Sequence, residues 1–286
     1  MNEIIEYAPC KVNLFLDVVG KRPDGYHGIE SIMAALPLCD KVAVKKTEVG
    51  ISVSFSGGDA LTEELSSLSA ENNLAYRAAV EFLKRAGIDS GVEIIIEKNI
   101  PSKAGLGGGS ADAAAVLRAL NKMFSYPFSE EELCSAALSL GADVPFCVCG
   151  GTALCRGIGE EITKIDNKTE FHGVITSEHA EKKSTADAYR AVDALMCSHK
   201  TKKSAVRMAK ALEAGAFDAV CGEAFNVFGT ACGYPDGARR LLDSLGAPFV
   251  LMSGAGPSVV ALTTDRASAE ALGRELEKNN YNAFIF

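Results

Sequence analysis

The sequence predicts an α+β fold in two lobes, on three observations. A length of 286 residues suits two lobes sharing an interface. The first hundred residues read mainly as strands, and they deliver the chain into a glycine-rich loop followed at once by a helix. The tail alternates strand, strand, helix and strand, the pattern of an α+β lobe with a mostly antiparallel sheet.

Taken in order, "CKVNLFLDVVG" (10–20) alternates as a strand, with Val12, Leu14 and Leu16 on one face and Lys11, Asn13 and Phe15 on the other. "KRPDGYH" is a turn, because Pro23, Asp24 and Gly25 all favour one. Strand-like pieces follow at 29–36, 41–46 and 51–55. An amphipathic helix at 72–87 stops on Gly87. "GVEIIIEKNIP" is the strand entering the glycine loop, and helices are expected at 110–121 and 129–140. Short strands are expected near 146–148, 152–155 and 173–176, then helices at 185–195, 204–214, 224–231 and 236–245. "APFVLMSGAGPSVVALTT" reads as strand–loop–strand, ahead of a helix from Arg266 and a terminal strand, "YNAFIF". The expected boundary lies near 157–172, dividing the chain into lobes at 1–160 and 161–286.

The formal net charge of −8 argues against a broad nucleic-acid surface, which would need a basic excess. It leaves room for a small anionic ligand, since a few backbone N–H groups hold a phosphate. Nine cysteines, odd in number and scattered, do not form a secreted disulfide framework. Cys147 and Cys149 form a C-x-C, but none of His27, His172, His179 and His199 is close in sequence. With Cys155 they share parity in a stretch that reads as strands, so core packing is the expected role. The first ten residues do not form a signal peptide, and no apolar run reaches the ~18 residues of a membrane span. A soluble cytoplasmic protein is expected, as monomer or homodimer.

"IPSKAGLGGGSADAAAVLRAL" (100–120) holds four glycines within five positions, between a strand and a helix N-terminus. That arrangement binds phosphates: glycine lets the backbone approach, N–H groups converge, and the helix dipole favours an anion. It is not a Walker A loop, since no Lys follows, nor a dinucleotide fingerprint, since Ser110 stands where a third glycine belongs. H-R-D and D-F-G, the marks of a protein kinase, do not occur.

"PSKAGLGGGSADAA" resembles the P-x-x-x-G-L-G-S/G-S-S motif of the GHMP kinase superfamily, whose members phosphorylate small alcohols. "APCKVNLFLDV" and "LMSGAGPSVVAL" are similar to its first and third motifs. "RPDGYHGIESIM" and "LGADVPFCVCGGTALCRGIGE" resemble in particular those members whose alcohol carries a cytidine diphosphate head group. A homoserine- or mevalonate-type kinase, or a non-catalytic ligand sensor, is the alternative. Two positions depart from the pattern: Ala111 replaces a second serine, and Gly229 stands where many relatives place a glutamate.

The resemblance implies a ribosomal S5 domain-2-like N-terminal lobe and a ferredoxin-like C-terminal lobe, with ATP and Mg2+ as cofactors. It assigns Lys11 and Asp143 to catalysis, as alkoxide stabiliser and proton acceptor. Phosphoryl-transfer chemistry allows both roles, though a structural ion pair would use the same residues. Pro101, Gly105, Leu106, Gly107, Gly108, Gly109 and Ser110 are expected to cradle the ATP phosphates, with Ser110 the candidate magnesium ligand. Asp112, in that helix's first turn, is expected to point away from phosphate and to cap or complement the dipole. Residues 253–258 either fold back toward the nucleotide or form a plain turn. On the substrate side stand Asn13, Tyr26, His27, Thr185 and Tyr189. Tyr26 and Tyr189 would stack on a cytosine, and the His27 ring or backbone would read its edge. The alternative for Tyr189 is a core position on an amphipathic helix, and Thr185 is the weaker candidate, expected as the helix N-cap.

Overall fold

A computed structural model of the chain describes residues 2–56, 70–177, 184–195, 201–232 and 237–286. The expected helix start at Asp236, together with His179, Cys197 and His199, lies outside the described residues. The chain forms two compact units assembled from separate stretches. The first is Met1–Lys11, Ala35–Ser102 and Gly107–Gly150, and the second is Val12–Ala34, Lys103–Leu106 and Gly151–Phe286.

Two long strands, β1 (Glu3–Lys21) and β2 (His27–Thr47), supply residues to both units. The pieces expected at 29–36 and 41–46 are therefore one strand. "LPLCD" looks like a break because Pro37 cannot donate to a ladder. β2 pairs with β1 along one edge, and on the other Pro37 falls between the segment that pairs with one strand (31–34) and the segment that pairs with another (41–47), so neither of those two ladders needs its N–H.

In the first unit, β4 (Gly91–Glu97) pairs antiparallel with the end of β2 and parallel with β3 (Ile51–Ser56). A parallel pair needs a crossover, and helix α1 (Leu74–Ala86) lies in that connection. Asn73 caps α1 by accepting from the backbone N–H groups of Ala75 and Tyr76. Val42, Val44, Ile94 and Ile96 bury one face of the strands.

Helix α2 (Gly108–Met123) packs against α1. It is buried nearly all round, from Ala111 through Leu117 without a break, which its run of alanines permits by letting neighbours approach closely. It begins two residues before the expected position, taking Gly108 and Gly109 into its first turn. Helix α3 (Glu130–Leu138) opens on a capping box between Ser129 and Glu132.

The strand expected at 146–148 is a helix, α4 (Val144–Cys149). "VPFCVC" is a short apolar run whose periodicity does not separate strand from helix. Pro145 at the second helical position, where no N–H partner is required, decides it. The shared parity of Cys147, Cys149 and Cys155 therefore has no strand behind it, although Cys147 and Cys155 are buried.

In the second unit, β5 (Thr152–Arg156) pairs with the start of β2, and with β6 (Glu161–Lys164), a strand not expected from the sequence. The four-stranded sheet runs β11-β7-β10-β9: β7 (His172–Ser177), β9 (Phe249–Met252), β10 (Ser258–Thr263) and β11 (Ala283–Ile285), antiparallel throughout. Its core joins Val174, Val259 and Ala261 to Ala238 and Leu242 of α9 (Gly237–Ser244) and to Leu272 and Leu276 of α10 (Arg266–Lys278). Between them come α5 (Thr185–Leu195), α6 (Ala205–Glu213), α7 (Phe217–Glu223) and α8 (Val227–Cys232). The helix expected at 224–231 starts late because Phe225 and Asn226 form β8, pairing in parallel with Phe15 and Leu16 of β1. Among the described residues no helix is long and apolar enough to cross a membrane.

Candidate active site

Lys11 lies on β1 with its side chain only 7% exposed, so its ammonium requires an anionic partner. Asp143 supplies it, with Oδ2 3.3 Å from Nζ. Asp143 is the N-cap residue of α4, not the first residue of a strand. Its side chain makes no capping bond, which leaves the carboxylate for Lys11 and, at 35% exposure, for a ligand.

Gly107 is the N-cap of α2, with φ +70°. A Cβ there would stand 2.8 Å from Lys11 Cγ, so the loop closes on the lysine stem only because this residue has no side chain. Gly108 and Gly109 are helical, and a Cβ on Gly109 would meet only Leu74 Cδ1, at 3.6 Å. The first turn of α2, ending on half-buried Ser110, therefore presents backbone N–H groups as an anion site does.

Behind that turn lies a buried charge cluster the sequence did not reveal. Lys98 Nζ pairs with Asp40 and sits 2.7 Å from Asp112 Oδ2, and all three are almost fully buried. Asp40 also accepts from the backbone N–H groups of Asn99 (2.6 Å) and Ile100 (2.8 Å), fixing the approach to the loop. Asp112 does not cap the helix; it turns inward to Lys98, since a carboxylate 5% exposed must be neutralised. Burial pushes its carboxyl up to about 7, with Lys98 opposing the rise and Asp40 adding to it. Burial works against the charge of Lys98, but Asp112 and Asp40 outweigh it and hold the ammonium above its usual range. Asp112 Oδ1 is buried with no hydrogen-bond partner among the described residues.

In the second unit, residues 253–258 lie against the start of the glycine loop. Ser253 Oγ donates to Gly105 O (3.0 Å) and Ser258 N–H to Ala104 O (3.0 Å). A Cβ on Gly105 would fall 2.2 Å from Ser253 O. Asn226, missed in the sequence, donates to Met252 O and Gly254 O and so sets that turn's shape. Asn13 is buried and donates to Ser31 Oγ at 2.8 Å.

The ring that Tyr189 meets is His27, stacked at 4.6 Å between centroids and 18° between planes. Phe228 closes edge-on against Tyr189 at 5.0 Å. Tyr26, one residue away on the turn, is 62% exposed. Thr185 is exposed and does not cap α5; Ser184 does, through its hydroxyl and the Asp187 N–H. Ala111 is buried in α2, and a side chain at Gly229 would meet nothing within 4 Å.

The comparisons define the class of this chain. The GHMP kinases N terminal domain matches residues 73–151 and the GHMP kinases C terminal domain residues 201–283. A homoserine kinase from Cytophaga hutchinsonii shares the fold at TM-score 0.75 and 21% identity. Two relatives are 4-diphosphocytidyl-2-C-methyl-D-erythritol kinases. That of Desulfitobacterium hafniense is 38% identical, covering 99% of this chain and 95% of its own. That of Bacillus pumilus is 41% identical, covering 91% and 88%. A crystal structure of 4-(cytidine 5'-diphospho)-2C-methyl-D-erythritol kinase matches at TM-score 0.75 and 32% identity, over 99% of this chain and 98% of that one. The chain belongs to the family of 4-diphosphocytidyl-2-C-methyl-D-erythritol kinases.

Two measurements test this geometry. Gly107→Ala must place a Cβ at positive φ against Lys11, and should lower both the unfolding midpoint and ATP affinity. Gly109→Ala meets ordinary contact and should match or exceed wild-type stability by about 1 kcal/mol. Equal denaturation curves for the two would contradict the close approach.

Asp112 carries a signed pH dependence. Its folded carboxyl is raised from near 4 to about 7, so the native state binds the extra proton in that window. Its contribution is fully present below about pH 4 and is lost as pH rises toward 7. Asp112→Asn should flatten the fall in urea-unfolding stability between about pH 5 and 7. An unchanged slope would refute the assignment.

Proposed function

We propose that this protein catalyses ATP-dependent phosphorylation of the 2-hydroxyl of 4-diphosphocytidyl-2-C-methyl-D-erythritol, a step of non-mevalonate isoprenoid precursor synthesis in the cytoplasm. The observation that carries the reading is the Lys11–Asp143 pair, at 3.3 Å, in a chain of this family. Phosphoryl transfer asks a protein mainly to align the acceptor oxygen and to stabilise charge. Asp143 accepts the hydroxyl proton, and Lys11 stabilises the oxygen as negative charge develops on it. The buried Lys11 stem, covered by Gly107, limits where that ammonium can move.

The first turn of α2 and the Gly105 stretch receive the ATP phosphates. The donor set suits a hard cation, because Ser110 offers a hydroxyl oxygen in that turn and Mg2+ commonly takes few protein ligands beside phosphate oxygens. Ser110 is the residue that would hold it, and the ion's chemistry there is neutralisation of phosphate charge. Tyr26, His27 and Tyr189 receive the cytosine, with Asn13 and Thr185 as further substrate contacts. The D-G-Y-H turn favours this substrate over homoserine or mevalonate, and retention of both Lys11 and Asp143 favours an enzyme over a ligand sensor.

Asp143→Asn keeps the side chain's size but cannot accept the proton. Its kcat in an ADP-release assay should fall ~10²-fold or more, with ATP affinity close to wild type. Near-normal turnover would remove Asp143 from the mechanism.

Loss of a stacking ring costs ~1–3 kcal/mol per base. Tyr189→Ala should therefore raise KM for the cytidine substrate about 5- to 150-fold and leave the ATP parameters little changed. A wild-type KM would show that Tyr189 is a packing residue.

A further inference from the structure

Tyr189 and Asp193 stand four residues apart on α5, which places both on one face of the helix. That face meets His27. Tyr189 covers the imidazole plane, and Asp193 Oδ1 lies 2.6 Å from its Nε2. The second oxygen of Asp193 lies 3.6 Å from Lys21 Nζ on β1. The hydrogen bond from His27 holds the Asp193 carboxyl below its usual range, with the Lys21 charge adding to the effect. Asp193 is thus an anion and can only accept a hydrogen bond.

An acceptor-only partner dictates which imidazole nitrogen carries hydrogen. Nε2 must be the donor, so in the neutral ring Nδ1 keeps its lone pair. Among the described residues Nδ1 has no hydrogen-bond partner, and the side chain keeps a tenth of its surface exposed. An acceptor at that position matches the exocyclic amino group of cytosine, a donor. It opposes the carbonyl oxygen that uracil carries at the same position, where two lone pairs would face each other.

We infer that Asp193 is a specificity-determining positioning residue: by fixing the His27 tautomer it makes the site select a cytidine over a uridine head group. The inference rests on the proposed cytidine-diphosphate substrate, and it adds what rejects the nearest wrong base. The carboxylate touches no substrate; it acts through the imidazole. Without it the ring is free to carry hydrogen on Nδ1, and the selection weakens.

The test compares kcat/KM for the cytidine substrate with that for its uridine counterpart, within each preparation, so that partial inactivation cancels. Wild type should prefer cytidine ~10²-fold or more, as expected for a site built to bond a polar group. Asp193→Ala and Asp193→Asn should lower that preference by about tenfold or more, mainly through KM for the cytidine compound. Asp193→Glu, which keeps an acceptor-only carboxylate, should restore most of the preference even if absolute rates fall. Alanine suits a partly exposed helix position, which keeps one variant foldable. If the Ala and Asn variants lose activity on both substrates by one common factor, or keep the wild-type ratio, Asp193 is structural and the inference is wrong. A wild-type enzyme that does not distinguish the two head groups would instead overturn the cytosine reading itself.

Discussion

The first unit depends on finding partners for two buried lysines. Lys98 lies between Asp40 of β2 and Asp112 of α2, where removing the lysine would leave two buried carboxylates uncompensated, at a cost of roughly 3–5 kcal/mol. Because the three residues come from a strand, the approach to the loop and the helix, their pairing fixes where α2 begins. That start in turn sets where the backbone N–H groups of its first turn stand. Lys11 repeats the constraint on β1, and its partner Asp143 is left with an exposed oxygen surface. One ion pair is sealed and structural; the other is half open, and so available for chemistry.

Close approach is the second constraint. Gly107 lets the loop rest on the Lys11 stem, and Gly105 lets the 253–258 turn reach the loop's beginning. In both places a methyl group would overlap atoms already present, so the two motifs are tied by sterics as much as by hydrogen bonds. Asn226 serves the same end from the other side, its amide bridging two carbonyls of that turn.

In the second unit the organising feature is a single face of α5. A helix spaces i and i+4 on one side, so one ring and one carboxylate can act together on one imidazole. The stack of His27 on Tyr189, with Phe228 edge-on, holds the ring plane, while the 2.6 Å contact of Asp193 with Nε2 holds its rotation.

By itself the sequence determined the fold class, the strand–loop–helix around 100–120 and most helix positions in the second half, because these rest on local periodicity, turn chemistry and motif spacing; Lys11 and Asp143 were singled out by the family resemblance, and only the fold brings them to 3.3 Å. Helix α4 was illegible because six apolar residues fit either period, and β2 was split in two because Pro37 reads locally as a break. β6, β8 and α7 were missed: short segments carry too little periodicity to be read. Asp112 was read as facing out because helix dipoles are local, whereas Lys98 reaches it only through the fold. The same holds for Asp193, an unremarked acid on an amphipathic helix until His27 is brought 166 residues back to meet it. Local rules write themselves into sequence. Which charge faces which, across long separations, is decided by burial, since only a low-dielectric interior makes an unpaired charge too costly to leave alone.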